Sequence, residues 1–217
     1  MIVDLSLQDK KVIVVGGGKE AQKRINSLLT QECEILVISD SVNSQINKLA
    51  KTKKIRLKKQ KIQDIKFLLQ FKPNLIITTT DDKKLNQKII NAAKRNNIIA
   101  YSSDNPEESD FSNPAIINFE NMIQIAIFTG GRSPAMSKKI KTKSEAIFKK
   151  IITKEDIANI KIQKIARKLA KEIIPTQDQR RKYLRSIMTD NGIDQLIKDG
   201  QVKKAEKRAI TILRNWK

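Results

Sequence analysis

Up to about residue 113, short apolar runs alternate with amphipathic segments, the pattern of repeated strand–helix units around a parallel sheet. The spacing predicts strands at Lys11–Val15, Glu34–Ser39, Ile55–Lys58, Leu75–Thr79 and Ile98–Ser102. Between them it predicts helices at Glu20–Leu29, Ser44–Ala50, Ile62–Leu69 and Lys84–Asn96. Five strands joined by right-handed crossovers make an α/β fold, an open doubly wound sheet of the Rossmann type. Such sheets bind ligands beyond the carboxyl ends of their strands.

After Pro106 the rhythm changes. "DFSNPAIINF" reads as a loop entering a strand at Ala115–Phe119, and "MIQIAIFTGG" as a second strand, Ile123–Thr129, running into a glycine turn. Two strands so closely connected suggest a hairpin or a swapped pairing, and hence a dimer element. From Ser137 onward the pattern is helical and rich in lysine, broken at Pro175 and at the Asp-Asn-Gly of 190–192. The expected organisation is therefore a sheet domain over 1–113, a dimerisation segment over 114–150 and a small α-helical C-terminal module over 151–217.

Composition narrows the chemistry. Cys33 is the lone cysteine of the 217 residues and histidine is absent, which excludes an internal disulfide, a cysteine-rich metal site and catalysis by histidine. No apolar run is long enough to span a bilayer. The N-terminus carries Asp4 and no stretch of signal-peptide length, so a cytoplasmic protein is expected. The net charge of +21 points to an anionic partner, although codon bias toward Lys, Ile and Asn accounts for part of it. Aromatics make up only 4%, too few for a base-stacking surface, so nucleic acid is the less favoured partner. The basic run "KTKKIRLKKQK" at 51–61 reads more readily as an edge strand guarded by lysines than as a phosphate patch.

The sharpest motif is "VVGGGKEA", in which Gly16, Gly18 and Ala21 have the spacing G-x-G-x-x-A between an apolar run and an amphipathic helix. On the dinucleotide reading Gly16 makes the turn, Gly18 admits the pyrophosphate and Ala21 lets helix and strand pack closely. The amides of Lys19 and Glu20 open the helix, where free N–H groups and the dipole favour an anion. Ser39, Asp40 and Ser41 end the second strand, where the adenosine ribose is met; an Asp there favours NAD over NADP. The competing reading is a tight turn without a ligand. Thr80, Asp81 and Asp82 follow the fourth strand; the two acids also suit a helix cap. Asp104 follows the fifth strand, as a general base or as an Asx turn before Asn105-Pro106.

Taken together, five segments resemble one family, the precorrin-2 dehydrogenases of siroheme synthesis, which also form the N-terminal part of multifunctional siroheme synthases. They are "VVGGGKEAQKRINSLL", "TTTDDKKLNQKI", "SSDNPEESDFSNPAII", "IAIFTGGRSPAMSKKIK" and "DQRRKYL". The resemblance implies oxidation of precorrin-2 to sirohydrochlorin with NAD as hydride acceptor, in a homodimer formed through the central segment. It implies an essential role for Asp104 and cofactor contacts from Gly16, Gly18, Lys19, Glu20, Asp40 and Ser41, to which Ser39, Thr80 and Asp81 are added as candidates. Thr129 stands where relatives carry serine. Arg132, Ser133, Arg180 and Arg181 are the candidates for a tetrapyrrole polycarboxylate, because a guanidinium pairs with a carboxylate in bidentate geometry. The chain departs from the family in Tyr101, Ser102 and Ser103, where Asn-Val is common, and in Asp40, which replaces a small or apolar residue. No methyltransferase domain follows, so the preceding step is expected on another protein. Two other readings remain open: a bifunctional dehydrogenase and ferrochelatase, and a non-catalytic nucleotide-sensing module of the same fold. No metal ligand set is expected.

Overall fold

The protein is described by a computed structural model covering residues 2–62 and 64–216. It divides between Asn113 and Pro114 into two compact units. In the first, strands β1 (Lys11–Val15), β2 (Glu34–Ser39), β3 (Arg56–Lys59), β4 (Leu75–Thr78) and β5 (Ile99–Ser102) form one parallel sheet in the order β3-β2-β1-β4-β5. Helices α1 (Lys19–Leu28), α2 (Ser44–Lys51), α3 (Lys66–Phe71) and α4 (Lys83–Arg95) make the crossovers. The strand order reverses between β1 and β4, which puts the crevice at the ends of those two strands.

The central strands β1 and β4 are apolar on both sides because both faces are covered, whereas the edge strand β3, Arg-Leu-Lys-Lys, has no buried residue. Val12 and Val14 point into a core with Ala21 and Ile25 of α1 and Ile46 of α2. Ile13 and Val15, one residue out of phase, point into a second core with Phe67 of α3 and Ile89, Ile90 and Ala93 of α4. Apolar contiguity in the sequence is thus the direct trace of a two-sided sheet.

Departures from the expected elements are local. Ile55 is drawn into the core ahead of β3, so that strand begins one residue late. β3 lies at the sheet edge, where Lys58 sits 5.4 Å from the centre of the Phe71 ring. α3 starts at Lys66, whose amide donates to Asp64 Oδ1 at 2.9 Å, rather than at Ile62; Gln63 lies outside the described residues. A 3-10 turn at Pro106–Glu108 was not expected. The chain then runs along the open edge of β5, where Asp110 Oδ2 and Ser109 Oγ accept from the amides of Ala100 and Ser102 at 2.8 and 2.9 Å.

The second unit opens with β6 (Ala115–Phe119) and β7 (Ile123–Ile127), an antiparallel hairpin within the chain, so that of the two pairings expected the hairpin is found. Helices α5 (Pro134–Ile151), α6 (Lys154–Ile173), α7 (Gln177–Met188), α8 (Asn191–Lys198) and α9 (Val202–Arg214) follow. α6 to α9 share a core that contains Ile162, Ala166, Tyr183, Ile187, Ala209 and Leu213. Tyr183 donates to the Ala209 carbonyl at 3.0 Å, and its burial pushes the phenol pKa up to about 12.

The break expected at the Asp-Asn-Gly falls there, between the end of α7 at Met188 and the start of α8 at Asn191. Asp190 Oδ1 accepts from the Ile193 amide at 2.7 Å as the N-cap, while Arg208 Nε donates to the same carboxylate at 2.6 Å. A Cβ on Gly192 would come within 2.6 Å of the Arg208 guanidinium, so a larger residue there would displace this side chain from Asp190. α5 is the exception to the packing: among its 18 residues only Ser137 is buried.

Candidate functional site

The three consecutive glycines after β1 have three different environments. Gly16 has φ +116°, a conformation that L residues rarely adopt, and a Cβ on it would collide with Thr79 at the end of β4. Thr79 locks this junction, its amide and hydroxyl both donating to the Val15 carbonyl at 2.8 and 2.9 Å. Gly17, at a position the motif leaves free, is wedged against the loop after β2, and its carbonyl accepts from the Asn43 amide at 3.0 Å. A Cβ on Gly18 would meet nothing within 4 Å. Two glycines therefore let the backbone pack, and the third leaves open space at the first turn of α1. Ala21 is fully buried, as close helix–strand packing requires.

The α1 N-terminus is suited to an anion. Gly18 occupies its N-cap position with no side chain to satisfy the first amides, the orphan donors that attract phosphate. The Glu20 carboxylate does not fill this role, because it turns along the helix to Lys23 and Arg24 at 3.0 and 2.5 Å. Burial alone would raise the Glu20 carboxyl, but the two cations outweigh it and hold it below its ordinary value. Lys19 is exposed beside it. A dinucleotide pyrophosphate fits the residues present, with the uncovered Gly18 as the point of close approach.

Around this turn stand the loops from the neighbouring strands. After β2, Ser39 Oγ donates to the Ser41 carbonyl at 2.6 Å, and Asp40 and Ser41 are exposed. After β4, Asp82 caps α4 by accepting from the Leu85 amide at 2.9 Å, which leaves the exposed Asp81 outside the capping contact. Thr80 turns inward and donates to Asn86 Oδ1 at 2.6 Å.

Asp104, exposed just beyond β5, carries the most organised carboxylate of this group. Its Oδ1 accepts from Asn86 Nδ2 at 2.8 Å and from Ser102 Oγ at 2.6 Å, while Oδ2 has no hydrogen-bond partner among the described residues. Neither partner was among the expected site residues. Asn86 is only 1% exposed and lies on the apolar stripe of α4 with Ile89, Ile90 and Ala93, where a polar side chain requires a specific partner. That misplaced polarity was the available signal. Tyr101, one residue out of phase with Ser102, points to the opposite face, beneath Arg24 and against Phe111.

In the second unit Thr129 and Ser133 hold the turn between β7 and α5. Thr129 Oγ1 accepts from the Ser133 amide at 3.2 Å and lies 3.1 Å from Ser137 Oγ, and Ser133 Oγ accepts from the Met136 amide at 3.2 Å. Gly130 and Gly131 supply the positive φ angles and Arg132 is exposed on the turn. This use of Thr129 ends β7 at Ile127, two residues before the expected limit.

Arg180 and Arg181 line a groove of about 560 Å³ between α6 and α7. Arg167, Lys171 and Arg185 line it as well, and among the described residues no acidic side chain does. The pairs Arg167/Lys171 and Arg181/Arg185 are four residues apart on their helices, so each puts two cations on one face at a cost in repulsion. Arg180 folds back to donate to the Thr176 and Pro175 carbonyls at 3.1 and 3.0 Å, and Arg181 reaches Asp178 at 3.9 Å. Among the described residues Arg167 and Arg185 make no ion pair. Likewise no three acidic or cysteine side chains converge as a metal-ligand set. The Cys33 thiol is half-buried, and burial raises its pKa. No helix of the described residues is long and apolar enough to cross a membrane.

A parallel sheet with its strand order reversed at β1 and β4, and an open glycine at the helix that leaves β1, defines a dinucleotide-binding protein. A model of the family described as "Putative NAD(P)-binding" matches residues 3–115, and the chain belongs to that family. It is 34% identical over 141 residues to a siroheme synthase of Methylococcus capsulatus, covering 65% of this chain and 29% of that one. It is 26% identical over 212 residues to a siroheme synthase of Actinobacillus pleuropneumoniae, covering 97% of this chain and 42% of the relative. The chain therefore spans less than half the length of these curated relatives. Its fold matches that of the solved structure titled SirC, precorrin-2 dehydrogenase, with a TM-score of 0.70 at 21% identity, over 97% of this chain and 99% of the other.

Proposed function

We propose that this protein is an NAD-dependent precorrin-2 dehydrogenase, an oxidoreductase that converts precorrin-2 to sirohydrochlorin in siroheme synthesis. The observation that carries the reading is the Asp104 carboxylate: it stands beyond β5 on the ligand side of a dinucleotide-binding sheet, with one oxygen anchored and the other unpartnered. The siroheme synthase likeness across nearly the whole chain supports the substrate class.

The reaction removes a hydride and a proton from the tetrapyrrole. NAD, when bound, supplies the hydride acceptor. The chain's own residues do the rest. Gly16 and Gly17 hold the turn closed, Gly18 leaves room for the pyrophosphate, and the amides of Lys19 and Glu20 receive its charge. Ser39, Asp40 and Ser41 face the adenosine end; the carboxylate of Asp40 favours a free ribose hydroxyl over a phosphate, and so NAD over NADP. Thr80 and Asp81, in the loop after β4, would line the cofactor crevice. Asp104 accepts the proton at Oδ2.

For the substrate's carboxylates the matching surface is the basic groove of Arg180 and Arg181, with Arg132 and the Thr129–Ser133 turn as further contacts. A concentrated positive field raises the encounter rate with a polyanion. The same reading includes a cytoplasmic homodimer. Its support is α5, whose Met136, Ile140, Ile147 and Ile151 are 45%, 38%, 58% and 61% exposed, an apolar stripe that a second copy would cover.

The test is Asp104→Ala. NADH production from precorrin-2 is lost while NAD affinity changes less than about twofold; a variant with full turnover would end the assignment.

A further inference from the structure

A continuous chain of polar side chains runs beneath Asp104, and it joins the loop after β4 to the loop after β5. Thr78 is fully buried at the end of β4 and Ser102 lies beside it at the end of β5, their hydroxyls 2.9 Å apart. Ser102 commits its only hydroxyl proton to Asp104 Oδ1, so Thr78 must be the donor in that pair. From the other side Asn86 spends its carboxamide fully. Its amide donates to the Thr80 carbonyl at 2.8 Å and to Asp104 Oδ1 at 2.8 Å, and its carbonyl accepts the Thr80 hydroxyl at 2.6 Å.

This geometry has a consequence for the carboxylate. Two donors saturate Oδ1 from directions fixed by two different elements, so rotation of the Asp104 side chain would break two charge-assisted hydrogen bonds at once. Oδ2 is then the oxygen left to act as an acceptor. We propose that Asn86 and Ser102 are positioning residues that hold Asp104 with Oδ2 presented to the substrate. Asn86 also ties that carboxylate to Thr80, so the loop bordering the cofactor and the group that takes the proton keep a fixed relation. The inference rests on the reading of Asp104 as proton acceptor.

The experiment is a double-mutant cycle on precorrin-2 oxidation, with NAD binding and melting temperature measured on every variant. Asn86→Leu and Ser102→Ala each lower kcat by about 10- to 100-fold, the scale of a misplaced catalytic group, with KM and NAD affinity within about twofold. Ser102→Thr, which retains the hydroxyl, recovers most of the loss. In an Asp104→Asn background the Asn86→Leu change costs nothing further. The proposal is overturned if Asn86→Leu and Ser102→Ala leave kcat intact, or if they lower it by the same factor with and without Asp104. Should Asn86→Leu fail to fold, Ser102→Ala and Ser102→Thr decide the question by themselves. Full turnover in Asp104→Asn alone would instead remove the underlying reading, an outcome the cycle separates from failure of the positioning role.

Discussion

Gly17 and Ser41 meet through their backbones: a Cβ on Gly17 would overlap the Ser41 carbonyl oxygen and come within 2.8 Å of the Val42 Cα. The neighbouring Gly18 has an extended backbone, φ −85°, and open space around it. The two positions should therefore respond oppositely to the same methyl group.

Gly17→Ala is expected to cost the free protein more than about 3 kcal/mol, since backbone rather than a flexible side chain must move. Gly18→Ala is expected to stay within about 0.5 kcal/mol of the parent, as for an unstrained surface change, yet to weaken NAD binding at least tenfold. Thermal melts with and without NAD read both effects. A Gly18→Ala variant that binds NAD normally would contradict the proposed approach of the pyrophosphate.

Asp190 supplies a prediction about stability and pH. The hydrogen bond from Arg208 is the main cause holding its carboxyl below the ordinary value. A depressed folded pKa contributes stability that is fully present above the unfolded value of about 3.9 and is lost as pH falls through the folded one. Asp190→Ala should cost about 1 kcal/mol at pH 7 through the lost cap, or about 2–4 °C in melting temperature for a chain of this size. The gap between the two proteins should narrow below about pH 4. A gap independent of pH would show that the charge is not what matters.

The groove between α6 and α7 should reveal itself in salt dependence. Arg181→Ala combined with Arg185→Ala is expected to raise the KM for precorrin-2 about tenfold, leave kcat within about twofold and flatten the dependence of kcat/KM on ionic strength. Unchanged kinetics in this variant would remove the groove from the account.

The apolar stripe of α5 predicts an assembly. Sedimentation equilibrium should give a dimer for the parent chain and a monomer for Ile147→Glu, because a buried charge opposes association. A monomeric parent would leave α5 unexplained.

What the sequence made legible follows from physical period. Apolar runs such as Val12–Val15 reported strands because both sheet faces are covered, and Gly16 and Ala21 reported the turn because a positive φ and close helix–strand packing fix where they stand. Gly17 was not legible, since its constraint comes from a loop more than twenty residues away. The anchoring of Asp104 was hidden for the same reason: Asn86 and Ser102 are brought to it by two elements, and only the polarity of Asn86 within an apolar stripe marked it. Arg185, one turn from Arg181, could have been read from spacing alone; Arg167 required knowing that α6 packs against α7. The break at Asp190–Gly192 was legible in the tail; what the sequence did not show is that Asp190 makes it by capping the next helix.

Dehydrogenation is decided by absorbance-monitored oxidation of precorrin-2 by the purified protein, with NAD and NADP in parallel. One NADH should form for each sirohydrochlorin, with kcat/KM at least tenfold higher for NAD than for NADP. Tight binding of NAD with no NADH formed in the presence of precorrin-2 would contradict the proposed activity.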